Sequence, residues 1–138
     1  MSYSTINTWK SIMKTGNHKE LINIIHDNAT FHSPVVFTPQ EGKKKVIKYL
    51  SSAVEIFKER NFYYTDNIIT DNIRFYAEFK ASFNKIEVNG IDFIKCENNL
   101  IKEFKVFLRP VKGIEVVWKE MKKKIKKVES NKLCLILQ

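Results

Sequence analysis

The sequence has few of the residues that cross-link or punctuate a chain. Its 138 residues include four glycines, three prolines, two cysteines and three histidines. Cys96 and Cys134 are far apart and form no C-x-x-C pattern, so we predict reduced thiols in a cytoplasmic protein. The histidines, at positions 18, 26 and 32, have no carboxylate or thiol at ligand spacing. We therefore predict no metal site, no glycine-rich phosphate loop and no bound cofactor.

Long hydrophobic runs are also missing. No segment approaches the roughly 20 apolar residues of a membrane span, and residues 1–16 lack the apolar stretch of a secretory signal. We expect one domain over residues 1–138, with a core at about 4–126, a C-terminal tail at 127–138 and no membrane partner. The tail contains the apolar residues 133–137, which would form a short strand or cover a partner subunit.

The formal net charge is +9, with arginine at positions 60, 74 and 109 alone. The densest basic run, at residues 119–127, continues a helical pattern and is not interleaved with aromatic residues. A solvated lysine face explains such a run better than a nucleic-acid site. We therefore predict no nucleic-acid partner.

The hydrophobic periodicity indicates an α+β fold. Helical spacing occurs at residues 4–15, from about Gly42 to Arg60, and around Met121 near the C-terminus. A second helix is predicted to begin at the N-cap Asn17. Its expected buried face is Leu21, Ile22, Ile24 and Ile25. Strand patterns occur at 29–33, 62–69, 73–83, around 86–97 and at 100–109, so four of them in succession predict an antiparallel meander.

Asp92 is the residue most in need of explanation. In the strand 86–97 it shares a face with Val88, Ile94 and Cys96, and it is the one ionisable residue on that apolar face. A buried aspartate is costly unless it is hydrogen-bonded, paired or protonated. Two alternatives remain at this point: a polar group at the floor of a pocket, or a residue turned outward by a strand end or a bulge at Gly90.

The segments "DNATFHSPVV" at 27–36, "VNGIDFI" at 88–94 and "IKEFKVFLRP" at 101–110 carry a resemblance over roughly residues 4–122. The chain resembles the superfamily of nuclear transport factor 2, ketosteroid isomerase and the SnoaL-like polyketide cyclases. That resemblance implies a cystatin-like cone, in which a curved antiparallel sheet wraps around the long third helix and encloses a mostly apolar pocket.

The resemblance also implies positions for site residues. Ketosteroid isomerase needs an aspartate base, a tyrosine donor and a protonated aspartic acid. Those positions correspond here to Ser33, Trp9 and Asp92, so one of the three is kept and steroid isomerisation is not expected. The related cyclases use an acidic residue on the strand of Asp92 for proton transfer.

We therefore predict binding of a small apolar or partly polar molecule, with Asp92 as general acid or base in isomerase- or cyclase-type chemistry. Trp9, Ser33, Tyr49 and Asp92 are the predicted ligand-binding residues. A homodimer through the sheet face is also expected, since Phe62, Tyr64, Phe93 and Phe107 do not all fit inside one cone. The alternative is a non-catalytic binding or dimeric interaction module in which side chains fill the cone.

Overall fold

The computed structural model describes the backbone of residues 3–137 and the side chains of residues 3–127. Three α-helices, one 3₁₀ helix and six strands make up this part of the chain. In order they are α1 (Tyr3–Thr15), the 3₁₀ helix (His18–Asn23), β1 (Ile25–His32), β2 (Gln40–Glu41), α2 (Lys43–Phe57), β3 (Tyr63–Thr70), β4 (Arg74–Phe83), β5 (Ile86–Glu97), β6 (Leu100–Arg109) and α3 (Val111–Leu137).

The strands form one curved sheet in the order β2–β1–β6–β5–β4–β3. The predicted antiparallel meander is confirmed, because β3, β4, β5 and β6 pair with their sequence neighbours in turn. β1 pairs with β6 in parallel, and β2 pairs with β1 antiparallel. The α+β class and the curved sheet predicted from the sequence are therefore confirmed.

One face of the sheet holds the core. Along β4 burial alternates strictly, with every second residue from Phe75 to Phe83 buried. The helix α2 covers this face through Val46, Leu50 and Val54, which are all buried. Because successive strand residues point to opposite sides, the residues in between face away from the helices. The interior of the cone is thus set by strand parity and by the apolar stripe of α2.

The segment after α1 differs from its prediction. It forms a 3₁₀ helix of six residues, and the Asn17 side chain makes no cap hydrogen bond. With three residues per turn, Leu21 and Ile24 fall on the same side and are buried. Ile22 points elsewhere and is 60% exposed, so its predicted place in the core is wrong.

No bulge turns Asp92 outward in the part of the chain that the structure describes. The pairing of β4 with β5 is continuous from Arg74 opposite Lys95 to Phe83 opposite Ile86. A register shift occurs later, between Lys95 and Cys96 in the pairing of β5 with β6. Asp92 therefore keeps the inward parity that the sequence indicated, and the bulge alternative at Gly90 is wrong.

The C-terminal helix α3 continues through the predicted tail to Leu137. The alternative of a short strand at 133–137 is therefore wrong. The side chains of this segment lie outside the described residues, so its role as cover for a partner stays a prediction. Across the described residues, no helix is both long enough and apolar enough to cross a membrane.

Candidate functional site

Three side chains from separate elements form a hydrogen-bonded chain inside the cone. Trp9 on α1 donates from Nε1 to the hydroxyl of Tyr64 on β3, at 2.8 Å. Tyr64 donates that hydroxyl's proton to Oδ2 of Asp92 on β5, at 2.5 Å. Trp9 is buried, and Asp92 is 5% exposed. The buried aspartate is thus held by one polar side chain, which is itself held by another.

The chemistry of the indole determines the direction of the first hydrogen bond. An indole nitrogen can only donate, so the Tyr64 oxygen must accept from Trp9. Tyr64 donates its single proton to Oδ2 of Asp92. In this arrangement a proton on Asp92 resides on Oδ1. Both the acidic and the basic capacity of Asp92 are concentrated on that oxygen.

Burial in the cone raises the pKa values of both ionisable side chains in this hydrogen-bonded chain, Tyr64 and Asp92. Burial raises the pKa of Asp92 from 3.8 to about 7, and the hydrogen bond from Tyr64 opposes this rise. Burial, followed by the charge of Asp92, raises the pKa of Tyr64 well above its usual value. The tyrosine hydroxyl therefore keeps its proton, while Asp92 is present as both acid and carboxylate at neutral pH.

The hydrogen bond from Tyr64 occupies Oδ2 of Asp92, and the second oxygen is Oδ1. Within the described residues, the bond to Oδ2 is the hydrogen bond that reaches this side chain. No buried side-chain oxygen or nitrogen in the same part of the chain lacks a partner. Oδ1 is therefore not a fully buried atom without a partner.

The cone contains a small apolar cavity, and Asp92 is not among the residues that line it. Val106 lies directly opposite Asp92 on β6 and lines a cavity of about 50 Å³. The other lining residues come from β1, α2, β6, α3 and the loop that begins at Ser33, and they are mostly aromatic or aliphatic. Ligand sites usually enclose about 300–1,000 Å³. The cone is therefore nearly filled in this conformation.

The four residues proposed as ligand-binding from the sequence divide into two pairs. Trp9 and Asp92 meet through Tyr64, whereas Ser33 and Tyr49 line the cavity. The Ser33 hydroxyl also accepts hydrogen bonds from the backbone N–H groups of Val35 and Val36, at 3.2 and 2.9 Å. That hydroxyl helps to shape the loop at the cavity wall.

Tyr64 was missed as a site residue. The four aromatic residues that were expected not to fit together inside one cone are divided between its two sides. The Tyr64 ring packs against Phe62, Phe75 and Phe79 inside the cone, whereas Phe107 is 57% exposed. The inward parity of Phe79 on β4 is clear from the sequence, but its pairing with Tyr64 is not, because the register of β3 on β4 shifts between Tyr64 and Ile68.

Comparison with known proteins identifies the fold. The chain has a nuclear transport factor 2-like, cystatin-like fold. A steroid delta-isomerase from Pseudomonas aeruginosa is similar over 94% of each chain, with a TM-score of 0.86 and 24% identity. A cystatin-like-fold protein from Silicibacter pomeroyi DSS-3, described as uncharacterised, has a TM-score of 0.80 and 22% identity over 90% of this chain and 86% of its own.

A third similar structure is a nuclear transport factor 2-like protein of unknown function from Mesorhizobium loti. Its TM-score is 0.70 at 11% identity, over 79% of this chain and 91% of its own. No protein-family model matches the sequence, and no curated protein matches it. At these identities the likeness establishes the fold and leaves the chemistry to be argued from the site.

The described side chains offer no metal centre. No group of three or more His, Cys, Asp or Glu residues is close enough together among them to hold an ion.

Proposed function

We propose that the chain binds a small, mostly apolar molecule in the cone and that Asp92 takes a proton from it and returns one to it. The observation that carries the proposal is the position of Asp92 at the end of the hydrogen-bonded chain from Trp9 and Tyr64, with a pKa of about 7 and with Oδ2 as the oxygen that Tyr64 binds. A general acid or base is most effective when its pKa lies near the working pH.

Binding requires the cavity to enlarge. The loop from Ser33 to Val35 forms part of the cavity wall, and it continues into exposed apolar residues that include the fully exposed Phe37. Surface loops are in general more mobile than the helices and strands they connect, so this loop is the part of the wall that we expect to move. We propose that outward movement of this loop admits the ligand beside Asp92.

Steroid isomerisation itself is not proposed. The similar structure from Pseudomonas aeruginosa is named as a steroid delta-isomerase, which supports acid–base chemistry on a carbon acid as the reaction class. At the positions that the isomerase resemblance assigns to a base and a tyrosine donor, this chain has Ser33 and Trp9. Serine does not accept a proton at neutral pH without a partner base, so Asp92 is left as the base.

The test is exchange of the α-protons of 2-tetralone in D₂O, followed by proton NMR. The Asp92 carboxylate would take an α-proton, exchange it with solvent and return a deuteron to the same carbon. We expect the wild-type protein to accelerate exchange, with a rate that rises through about pH 7, and Asp92→Asn to be slower by about 10²-fold. Lys85→Gln, in the exposed turn after β4, is the matched control and should exchange like wild type. Equal rates for wild type and Asp92→Asn would remove Asp92 from the mechanism.

The small cavity favours a second candidate, a non-catalytic module with a filled cone. In that case the buried network of Trp9, Tyr64 and Asp92 would serve only to hold α1 and β3 on the sheet. Such a protein would show no exchange above buffer, and native mass spectrometry of freshly purified protein would find no retained small molecule. A reproducible adduct would favour the ligand-binding function.

We also propose that the chain forms a homodimer through the outer face of the sheet. Tyr76, Ile91 and Phe107 are exposed on this face, on the adjacent strands β4, β5 and β6. Ile91 and Phe107 are directly paired between β5 and β6. A contiguous apolar patch of this kind is characteristic of an interface.

Sedimentation velocity tests the dimer directly. We expect a dimer for wild type and a folded monomer for Phe107→Lys, because a buried unpaired charge is not tolerated in an apolar contact. Val111→Lys, an exposed apolar residue at the start of α3, is the control and should remain dimeric. A monomeric wild-type protein would contradict the proposal.

A further inference from the structure

A groove of about 730 Å³ lies outside the cone, between the 3₁₀ helix, α2 and α3. It shares no lining residue with the cavity near Asp92, and neither Trp9 nor Tyr64 contributes to it. Its volume falls within the range of about 300–1,000 Å³ that small-molecule sites occupy. The groove is therefore a separate candidate site.

Part of the lining of the groove is apolar. Ile22 from the 3₁₀ helix and Ile47 from α2 both line it. Ile22 is the residue whose spacing predicts a place in the core, yet it is 60% exposed in this concavity. A ligand that covers a large exposed apolar side chain removes apolar surface from water, which favours binding.

The charged residues that line the groove are mostly positive. One carboxylate, Glu55, lines it and already lies 3.1 Å from His18 and 3.9 Å from Lys124. Asp27, outside the groove, lies 3.9 Å from Lys43. Lysines approach from two helices, so a bound anion would be flanked from both sides. The lysines that line the groove are Lys43, Lys44, Lys48 and Lys124.

We propose that this groove binds an anionic amphiphile, a small molecule with an apolar body and a carboxylate, of the class of a medium-chain fatty acid. The apolar body would cover Ile22 and Ile47, and the carboxylate would lie among the lysines of α2. A charged ligand without an apolar body would leave Ile22 and Ile47 exposed to water. A neutral apolar ligand would gain no electrostatic attraction from the lysines. The residues that line the groove include no aromatic side chain on which a nucleic-acid base could stack.

The test is titration of the full chain with dodecanoate below its micelle concentration, by isothermal calorimetry and by backbone amide NMR shifts. We expect shifts centred on Ile22, Ile47 and Lys44. Ile22→Asn should weaken binding by about tenfold, because it removes the apolar contact. Lys44→Glu should weaken it by about fivefold or more, because it reverses one charge in the lining of the groove.

Matched controls distinguish the site from general effects of charge or hydrophobicity. Lys85→Glu makes the same change in net charge outside the groove, and Val111→Asn removes an exposed apolar side chain elsewhere; both should bind dodecanoate as wild type does. Dodecanol should bind more weakly than dodecanoate, and acetate should not compete.

The proposal is overturned if dodecanoate does not bind, or if binding survives both groove substitutions. It is also overturned if hexaglutamate competes as well as dodecanoate, or if the shifts centre on Asp92 and Val106, which would place the ligand in the cone.

Discussion

Between about pH 4 and pH 8, Asp92 alone should lower the free energy of unfolding by about 4 kcal/mol. Its pKa is about 7 in the folded protein against 3.8 for an unburied aspartate. Below the lower value both states hold the proton and Asp92 contributes nothing to the pH dependence. Between the two values the folded state holds a proton that the unfolded state has released, so stability falls as pH rises. Above about pH 7 both states are ionised, and the loss is complete.

The variant Asp92→Asn isolates this effect. An asparagine can still accept the hydrogen bond from Tyr64, but it cannot ionise, so the contribution of position 92 should become independent of pH. Asp71 and Glu78 have pKa values lowered by their hydrogen bonds, so they act in the opposite sense at the acid end in both proteins. Denaturant unfolding of the two proteins at matched pH values measures the difference, in which these shared terms cancel. The same pH slope in both proteins would show that Asp92 is not buried as an acid.

The role of Tyr64 can be measured in the same experiment. Its hydrogen bond lowers the pKa of Asp92, so Tyr64→Phe should raise that pKa further. The loss of stability would begin at the same pH and extend to a higher one, and carbon NMR of the Asp92 carboxyl would report the shift. An unchanged titration of Asp92 in this variant would contradict the proposed chain of hydrogen bonds.

Replacing Gly90 with alanine should destabilise the protein by about 3 kcal/mol, at the upper end of the usual cost of overpacking. A Cβ atom at this position would lie 2.5 Å from the carbonyl oxygen of Phe107 and in severe overlap with the ring of Phe79. Phe79 lies directly opposite Gly90 on β4, and its ring occupies the space that a side chain would need. Because Gly90 has no Cβ, the Phe79 ring and the Phe107 backbone can lie close to β5 at this point, two residues before Asp92.

Two further variants identify the cause of the Gly90 effect. Gly113→Ala in α3 should change stability by less than about 1 kcal/mol, because its nearest contact would be a side-chain methyl of Val88 at 3.3 Å. Adding Phe79→Leu to Gly90→Ala should not restore stability, since the overlap with the Phe107 carbonyl would remain. Chemical denaturation measures both. A Gly90→Ala protein as stable as wild type would mean that the strands separate here without cost.

Much of the fold follows from local periodicity. The strict alternation from Phe75 to Phe83 and the stripe from Val46 to Phe57 each indicate one buried face, and the structure has both. Short turns between successive strands make the meander a local arrangement, so it is predictable. The parallel pairing of β1 with β6 is not, because about 70 residues separate these strands and no local pattern encodes the contact.

The sequence by itself determined that Asp92 faces the apolar side of its strand, since strand parity depends only on the order of residues. It did not determine the partner of Asp92. Tyr64 lies 28 residues away on a strand whose register shifts between Tyr64 and Ile68, and only the assembled sheet brings the hydroxyl to Oδ2. The tertiary structure also decided that the cone is nearly filled and that Ile22 is exposed. Both depend on how side chains from distant elements share volume, and that is a property of packing rather than of periodicity.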